Sequence, residues 1–326
     1  MHRRKFLEIL GITAATWPLA ALAQQSANVS RIGFLRLGRA SSDAGRVKAL
    51  RIGLRDLGYI EGKNIAFEFR WAETAEQLSA FAAELVRMNV DIIFATSSTE
   101  VGAVRALTRT IPIVFATHAD PVTLGHVASL SRPGGNATGL TMQMTDIAAK
   151  EFEILKEVVP HATRFGVLFT PTAPSYTSFL QTAEASGAKL HIALHKAPVS
   201  SGDDFDAVFA AMALERVDGV VVHGAALTAS HGVRLAELAL EHRLPTIFVV
   251  RDNVEVGGLM SYGPDVRDLT RRAAVYIDKI LKGIKPEELP VEQATKFDLL
   301  VNNKTAKAIG LAIPEAFLLR ADEVIE

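Results

Sequence analysis

Hydrophobic positions follow two periods along this chain, and the two periods alternate with each other. Short runs rich in β-branched and aromatic residues, beginning with Ile32–Leu37, are typical of strands buried on both faces. The next segment has apolar residues at three- and four-residue spacing from Val47 to Leu57 and then Gly58, which predicts an amphipathic helix with a glycine stop. Strands that alternate with such helices indicate an α/β fold with parallel sheets and crossover helices on both faces.

The alternation continues through two similar halves, separated by a turn cluster at Arg132–Asn136. In the first half it predicts strands at Ile65–Phe69, Asp91–Ala95 and Ile111–Ala116, and helices through Leu78–Leu85 and Val101–Leu107. In the second half it predicts helices through Asp146–Val158, Phe205–Leu214 and Val233–His242, and strands at Phe165–Phe169, Leu190–Leu194, Gly219–Val222 and Thr246–Val250. We therefore expect two Rossmann-like lobes, each with its own parallel sheet.

The C-terminal part departs from this simple alternation. Gly257–Gly263 predicts an extended connector, Asp265 predicts the N-cap of a long helix that ends at Gly283, and Lys296–Val301 predicts a further strand. The chain would then cross between the lobes three times, as in clamshell proteins that hinge about a fixed axis. We expect one lobe from residues 30–140 with about 264–295, and the other from 141–260 with about 296–326.

The first residues predict an export signal. Arg3 and Arg4 precede an apolar run of about 15 residues, which is shorter than the roughly 20 that span a bilayer. Ala21-Leu22-Ala23 supplies a small-x-small cleavage site, so we expect residues 1–23 to be a signal peptide of a periplasmic protein. The arginine pair before Phe6 and Leu7 favours the twin-arginine route, while the general secretory route stays open. A cytosolic protein with a frayed N-terminus would leave the cleavage site unexplained.

Composition removes several classes of function. The 35 basic and 36 acidic residues are scattered rather than clustered, so we expect no nucleic-acid partner. The absence of cysteine excludes disulfides, thiolate metal sites, a cysteine nucleophile and a lipid-anchoring cysteine. An apolar fraction of 49% indicates ordered cores, and we expect an unanchored monomer.

Motifs for cofactor or metal chemistry are incomplete. Gly62-Lys63 lacks the other positions of a phosphate loop, and the chain has neither a dinucleotide-binding glycine run after its first strand nor a Gly-x-Ser-x-Gly elbow. His191 and His195 would share a strand face about 13 Å apart, too far to hold one metal ion. We therefore expect no cofactor and no metal. His118 and Asp120, with Ser97, leave an acid/base pair open, although lining a cleft or shaping a turn needs no further partner.

Polar residues follow three predicted strands of the first lobe, and ligands of open α/β sheets bind beyond such strand ends. The hydroxyls of Ser97, Ser98 and Thr99 lie where a helix starts, so they can hold a carboxylate or simply cap the helix. Asp120 can accept hydrogen bonds from a ligand ammonium or cap the next turn. The candidate ligand-binding residues of this lobe are Ser41, Ser42, Thr96, Ser97, Ser98, Thr99, His118 and Asp120.

The second lobe offers a matching set. Tyr176 and Tyr262 are candidates for stacking on a ligand, because a ring that keeps its hydroxyl wet suits a cleft mouth, although ordinary packing explains them equally well. Arg251 can clamp an acid or form a surface ion pair with Asp252. The candidates of this lobe are Tyr176, His223, Gly224, Arg251 and Tyr262.

Seven stretches together resemble the tryptophan/tyrosine-type ABC transporter substrate-binding proteins, a branch of the type I periplasmic binding proteins. The stretches span the mature chain: Leu57–Asn64, Ile111–Phe115 with Asp120-Pro121-Val122, Arg132–Asn136 with Thr138-Gly139-Leu140, Gly257–Gly263, Arg271–Ala274, Leu289–Gln293 and Arg320–Glu326.

The resemblance implies a solute receptor for an ABC importer, with a ligand between the lobes, an inner-membrane ABC permease as partner, and no catalysis. It implies an amino acid or an aromatic or other small carboxylic acid as ligand. One departure stands before Asp120, where Thr117-His118-Ala119 replaces the small or acidic residues that the family often has, so His118 is expected to alter the pocket. A receptor for a signalling system and an exported enzyme are the alternatives.

Overall fold

The computed structural model describes residues 29–326 as thirteen strands and twelve α-helices within that range. The predicted signal peptide, residues 1–23, lies outside the described residues. None of the helices in this range combines the length and the apolar character needed to cross a membrane.

In chain order, the first part folds into β1 (Ser30–Leu37), α1 (Ala44–Asp56), β2 (Ile65–Ala72), α2 (Ala75–Arg87), β3 (Ile92–Ala95), α3 (Ser98–Arg105), β4 (Ile113–His118) and β5 (Ala137–Thr141). The middle part folds into α4 (Met144–Val158), β6 (Arg164–Phe169), α5 (Tyr176–Leu190), β7 (Ala193–Pro198), α6 (Phe205–Leu214), β8 (Gly219–Val222), α7 (Ala226–Ser230), α8 (Gly232–Glu241), β9 (Thr246–Phe248), α9 (Arg251–Glu255) and β10 (Met260–Gly263). The last part folds into α10 (Val266–Leu281), β11 (Glu292–Gln293), β12 (Asp298–Asn302), α11 (Asn303–Ile309), α12 (Glu315–Leu318) and β13 (Glu323–Ile325).

These strands form two separate sheets. The six-stranded sheet has the order β11-β5-β4-β3-β1-β2, and every neighbouring pair in it is parallel. The seven-stranded sheet has the order β13-β12-β10-β9-β8-β6-β7, and β12 runs antiparallel to β10 while the other pairs are parallel. The predicted α/β class with two mostly parallel sheets is therefore confirmed, and we call the two halves lobe 1 and lobe 2.

Helix α10 packs on the six-stranded sheet although it follows the strands of lobe 2 in sequence. Asp265 caps it by accepting hydrogen bonds from the backbone N–H groups of Arg267 and Asp268. Its apolar face joins the core that Phe34 and Phe94 also build. The helix crosses α1 so closely at Gly53 that a Cβ there would lie 2.3 Å from the carbonyl oxygen of Arg271. A glycine at this position of α1 thus allows the late helix to cover lobe 1.

Three short segments connect the lobes, and we call them the hinge. They are residues 142–143 between β5 and α4, 264–265 between β10 and α10, and 294–297 between β11 and β12. Tyr262 stacks on Phe297 beside the hinge, with ring centroids 6.0 Å apart. The lobes also approach each other at the cleft, where a Cβ on Gly38 would lie 3.7 Å from the Cβ of Ser230.

Two predicted elements are wrong in detail. The strand predicted at Leu190–Leu194 begins three residues too early: Leu190 ends α5, His191 adopts a left-handed conformation with φ of 55°, and β7 begins at Ala193. His191 and His195 therefore do not share a strand. The connector predicted at Gly257–Gly263 contains β10, which pairs with β9 and β12 in the centre of the sheet.

Two leucines predicted to face inward lie beyond the ends of their helices. Leu57 is 38% exposed and Leu107 is 47% exposed. Helix α1 ends at Asp56 and α3 ends at Arg105, so the helical period no longer directs these side chains toward the core.

Candidate functional site

A cavity lies between the two lobes beyond the carboxyl ends of β1, β3, β4, β6, β8 and β9, and the volume open to the centre of a water-sized sphere in it is about 70 Å³. We call it the interlobe cavity. Both sheets present their strand ends to it, which is where open α/β sheets bind ligands. Its walls include Arg36, Arg46, Ser97, Ser98, Thr99 and Thr117 from lobe 1, and Ser175, Val222, His223, Gly224, Phe248 and Asn253 from lobe 2.

Arg36 is a buried cation whose charge is matched inside the protein. Its Nη1 donates to Thr96 Oγ1 at 3.2 Å and to Glu100 Oε1 at 3.5 Å, and its Nε lies 3.6 Å from Asp43 Oδ1. Glu100 is itself fully buried and accepts further hydrogen bonds from the backbone N–H groups of Leu37 and Ser97. Arg36 therefore acts as a fixed part of the cavity floor, with Thr96 behind it.

Arg46 is a buried cation without such partners. It is 7% exposed, and it donates no hydrogen bond to any residue in the range 29–326. The nearest carboxylate oxygen, Asp43 Oδ1, lies 3.8 Å from its Nε, beyond hydrogen-bond length. Burial first and the neighbouring Arg36 second lower the pKa of Arg46 to about 10. The buried Nε–H of Arg46 has no acceptor among the described residues, and an anionic ligand in the cavity would supply acceptors to the guanidinium.

The N-terminus of α3 forms another part of the lobe 1 wall. Ser97 and Glu100 form a capping box, in which the Ser97 hydroxyl also donates to Glu100. The first backbone N–H groups of a helix have no partner within the helix, so those of Ser98 and Thr99 are available beside the cavity. Lobe 1 thus places Arg46 and the positive end of a helix at the same wall.

A chain of neutral side chains lies behind Ser98. Ser98 Oγ accepts a hydrogen bond from the Ala119 backbone N–H at 2.9 Å and lies 3.2 Å from His118 Nδ1, while His118 Nε2 lies 2.7 Å from His126 Nδ1. Burial, the proximity of His126 and that of Arg105 lower the pKa of His118 well below its usual value. Burial and then Arg105 lower the pKa of His126 to about 4. His118 therefore supports the cavity wall from behind, as a neutral ring.

Lobe 2 contributes a second neutral histidine. His223 Nε2 lies 3.0 Å from Ser175 Oγ, its ring stacks on Phe179 at 4.5 Å, and burial lowers its pKa to about 4. Its Nδ1 has no hydrogen-bond partner in the described part of the chain. A Cβ on the neighbouring Gly224 would lie 2.8 Å from a Val249 methyl, so a larger residue here would have to displace that side chain. Lobe 2 therefore offers a ring nitrogen and a closely approaching backbone.

The structure brings five of the predicted site residues to the interlobe cavity: Ser97, Ser98, Thr99, His223 and Gly224. Arg36 and Arg46 line it as well, although the sequence did not single them out. Arg46 follows the period of the apolar face of α1 beside Val47 and one turn before Leu50, and a charged residue on that face was the available signal.

Several predicted residues lie elsewhere because local partners hold them. Arg251 pairs with Glu255 at 2.9 Å and Glu323 at 2.8 Å, outside the cavity. Asp120 accepts hydrogen bonds from the backbone N–H groups of Val122 and Thr123, so it caps the turn, as its alternative interpretation stated.

The remaining predicted residues lie at other surfaces. Ser41 and Ser42 line a side opening of the cleft, and Ser42 donates to the Arg39 carbonyl oxygen. Tyr176 is 37% exposed at the start of α5, and Tyr262 packs against Phe297 beside the hinge. Neither tyrosine lines the interlobe cavity.

Two α/β lobes with a cavity between their strand ends define the type I periplasmic binding protein fold. The chain belongs to the ABC transporter substrate binding protein family, whose model matches residues 40–325. The family indicated by the sequence resemblance is thereby confirmed.

Known proteins resemble the chain over most of its length. The tyrosine-binding protein of Clostridioides difficile (strain R20291) is 25% identical over 259 residues, which cover 79% of this chain and 74% of that protein. A conserved domain protein from Vibrio cholerae O1 biovar eltor is 28% identical with a TM-score of 0.86, over 91% of this chain and 99% of that chain. An ABC domain from Streptococcus pneumoniae in complex with L-Trp is 24% identical with a TM-score of 0.84, over 91% of this chain and 100% of that chain.

Proposed function

We propose that this protein is the periplasmic solute receptor of an ABC importer and that it closes its lobes over a small ligand with a carboxylate, an amino acid or an aromatic or other organic acid. Arg46 carries the proposal, because its guanidinium is buried at the cavity wall without a hydrogen-bond acceptor among residues 29–326. A ligand carboxylate would accept from Arg46 and from the first N–H groups of α3. The tyrosine-binding relative and the L-Trp complex support a small ligand that carries a carboxylate.

Closure follows from the distribution of these groups over both lobes. A ligand shifts an open/closed equilibrium only by its different affinity for the two states. The ligand would bind Arg46 of lobe 1 through its carboxylate and pack the rest of the molecule against His223 and Gly224 of lobe 2. It can make both sets of contacts only when the lobes are closed. Rotation of the lobes about the hinge on ligand binding then changes the outer surface of the protein, and an inner-membrane permease can recognise the closed form.

A thermal-shift screen of amino acids, aromatic acids and neutral sugars tests the proposal. A ligand that binds only the native state stabilises it by about 2.7 kcal/mol at 100 times its dissociation constant, so acids should raise the melting temperature and sugars should not. If no carboxylate changes the melting temperature at millimolar concentration, the proposal is wrong.

Replacement of Arg46 tests the observation on which the proposed function rests. Arg46→Met should weaken binding of the acid found in the screen by about 100-fold, since a charge-assisted pair contributes about 3 kcal/mol. Isothermal titration calorimetry would measure the dissociation constant. Arg55→Met is the matched control, because Arg55 is exposed on the same helix, and it should bind like the unaltered protein. Equal affinity of the Arg46 and Arg55 variants would contradict the assignment.

A further inference from the structure

The charged residues that line the interlobe cavity are all positive. Two guanidinium groups, Arg36 and Arg46, line it, and no aspartate or glutamate of the described chain does. His223 adds no charge, because burial holds its pKa at about 4. The cavity therefore presents cations and neutral dipoles to whatever it encloses.

The buried carboxylates nearest to the cavity, Glu100 and Asp43, lie next to its two arginines. Glu100 accepts hydrogen bonds from Arg36, from the Leu37 N–H and from the Ser97 N–H. Asp43 is 2% exposed and lies within 4 Å of both Arg36 and Arg46. These two acids lie beside the two arginines and do not line the cavity, although Asp43 Oδ2 has no hydrogen-bond partner among the described residues.

Glu73 and Glu76 line the adjoining part of the cleft, where both are exposed to solvent and Glu73 pairs with Arg39. Asp252 is the acid to weigh as an alternative, since it lines a side opening of the cleft together with Arg46. Its Oδ1 accepts a hydrogen bond from Arg267 at 2.6 Å, and Arg267 also bonds to Glu255 at 2.7 Å. The charge of Asp252 is thus compensated by a guanidinium on α10, and its side chain does not reach the enclosed cavity.

An α-amino acid brings an ammonium group next to its carboxylate. With the carboxylate on Arg46, the ammonium would be buried close to two cations, and three N–H donors would need acceptors. The Ser97 hydroxyl donates to Glu100, and the Ser98 hydroxyl accepts the Ala119 N–H and lies 3.2 Å from His118 Nδ1, so both offer neutral oxygen atoms rather than a carboxylate. Such lone pairs suit a ligand hydroxyl or ring N–H better than a full positive charge.

We infer that the ligand of this cavity is an organic acid without an ammonium group, consisting of a carboxylate and a compact apolar body. The inference rests on the proposed function and narrows its ligand class. The carboxylate binds Arg46 and the α3 N-terminus, and the body packs on Met142, Met144, Val222, Phe248 and Val266. The chain then differs in ligand class from the tyrosine-binding relative and the L-Trp complex.

Calorimetric titration with matched pairs of ligands tests the inference. Each pair consists of an amino acid and the acid that lacks only its amino group: L-tryptophan with indole-3-propanoate, L-phenylalanine with 3-phenylpropanoate, and L-leucine with 4-methylpentanoate. Within the pair that binds best, the acid that lacks the amino group should bind at least tenfold more tightly than the amino acid. Equal or tighter binding of the amino acid would overturn the inference while leaving the proposed function intact.

Two further outcomes separate the possibilities. If neither member of any pair binds, the proposed carboxylate receptor fails and the inference fails with it. Asp252→Asn tests the alternative acceptor, with the acid-over-amino-acid ratio as readout. The ratio should stay unchanged in this variant, whereas a rise of tenfold or more, through weaker amino-acid binding, would show that Asp252 holds an ammonium and would overturn the inference.

Discussion

The candidate ligand site depends on which arginine of helix α1 faces the cavity, and that arginine is Arg46. Helix α1 carries Arg46, Arg51 and Arg55, and only Arg46 is buried, while Arg51 pairs with Glu61 at the surface. The three are chemically alike in the sequence, and the difference arises only when α1 packs under the cleft. Ser97–Thr99 could be placed at the cleft from sequence because a strand end and a helix start coincide there.

Residues with local partners were the hardest to judge from sequence. Asp120 caps its turn, which was one of its two interpretations. Arg251 forms surface ion pairs with Glu255 and Glu323, and the predicted pair with Asp252 is wrong because Asp252 bonds to Arg267. The partners of Arg251 include Glu323, which lies 72 positions away in sequence, so no local pattern reveals that pair.

Burial of His223 predicts a loss of stability in mild acid. Its pKa is about 4 in the folded protein, against about 6.5 in an unfolded chain, so the unfolded state binds more protons between these values. The stability that this histidine contributes is full above about pH 6.5 and is lost as the pH falls toward 4. Between pH 6.5 and 4.5 the change amounts to about 2 kcal/mol.

Urea unfolding at several pH values measures this effect. His223→Gln should give a flatter decline of unfolding free energy between pH 6.5 and 4.5 than the unaltered protein. His161→Gln is the control, because His161 is exposed, and it should leave the slope unchanged. An unaltered slope in the His223 variant would contradict the prediction.

At the scale of elements, regular amphipathic helices were predictable and weakly patterned ones were not. Helix α10 has a continuous apolar face and a capping aspartate, and its predicted start at Asp265 is confirmed. Helix α5 buries only Phe179, Ala183, Ser186 and Gly187. Three of those four are small, so the period that marks a helix is faint. The sequence therefore predicted no helix here and began the next strand too early, at Leu190.

Helix α4 carries a buried acid that weakens the fold. Glu151 is 0% exposed, and neither of its carboxyl oxygens has a partner within residues 29–326. Burial raises the pKa of this carboxyl well above its usual value, so the folded protein holds a proton that the unfolded chain releases above about pH 4.5. The stability linked to this proton is present below that pH and is lost as the pH rises through the folded-state pKa.

Glu151→Met should therefore raise the unfolding free energy at pH 7.5 by about 1–3 kcal/mol, because an apolar side chain of similar length has no polar atoms to desolvate. Thermal and urea unfolding would measure the gain, which should shrink toward pH 4.5. Glu153→Met on the exposed face of α4, where Glu153 pairs with Lys150 and Lys189, should change stability by about 0.5 kcal/mol or less. A Glu151 variant that is less stable at pH 7.5 would refute this account.

At the scale of the whole molecule, the two-sheet plan followed from the repeated strand–helix order, and the family resemblance agreed with it. The short strands β11 and β13 escaped detection because two or three residues carry no measurable period. How closely the lobes approach was also beyond the sequence, since it depends on contacts such as that of Gly38 with Ser230.

The close approach of Gly38 in lobe 1 to Ser230 in lobe 2 permits a test of lobe closure by an engineered disulfide. Cβ atoms 3.7 Å apart suit a disulfide, and the chain has no cysteine to compete. Gly38→Cys with Ser230→Cys should, when oxidised in the presence of ligand, slow ligand release by at least tenfold, and reduction should restore the original rate. Fluorescence or calorimetric exchange measures the rate. The two single-cysteine variants control for strain at Gly38, and unchanged release from the oxidised double variant would contradict a closing cleft.

Because the chain crosses the hinge three times, each lobe contains segments that are synthesised late, and this determines when each lobe can complete its folding. The apolar sheet face at Phe34, Phe94 and Val114 is made early, but the helix that covers it, α10, leaves the ribosome only after β10. Lobe 2 in turn waits for β12 and β13. Neither lobe can complete its core while the C-terminal 60 or so residues are missing, so the nascent chain stays unfinished in both halves until its end emerges.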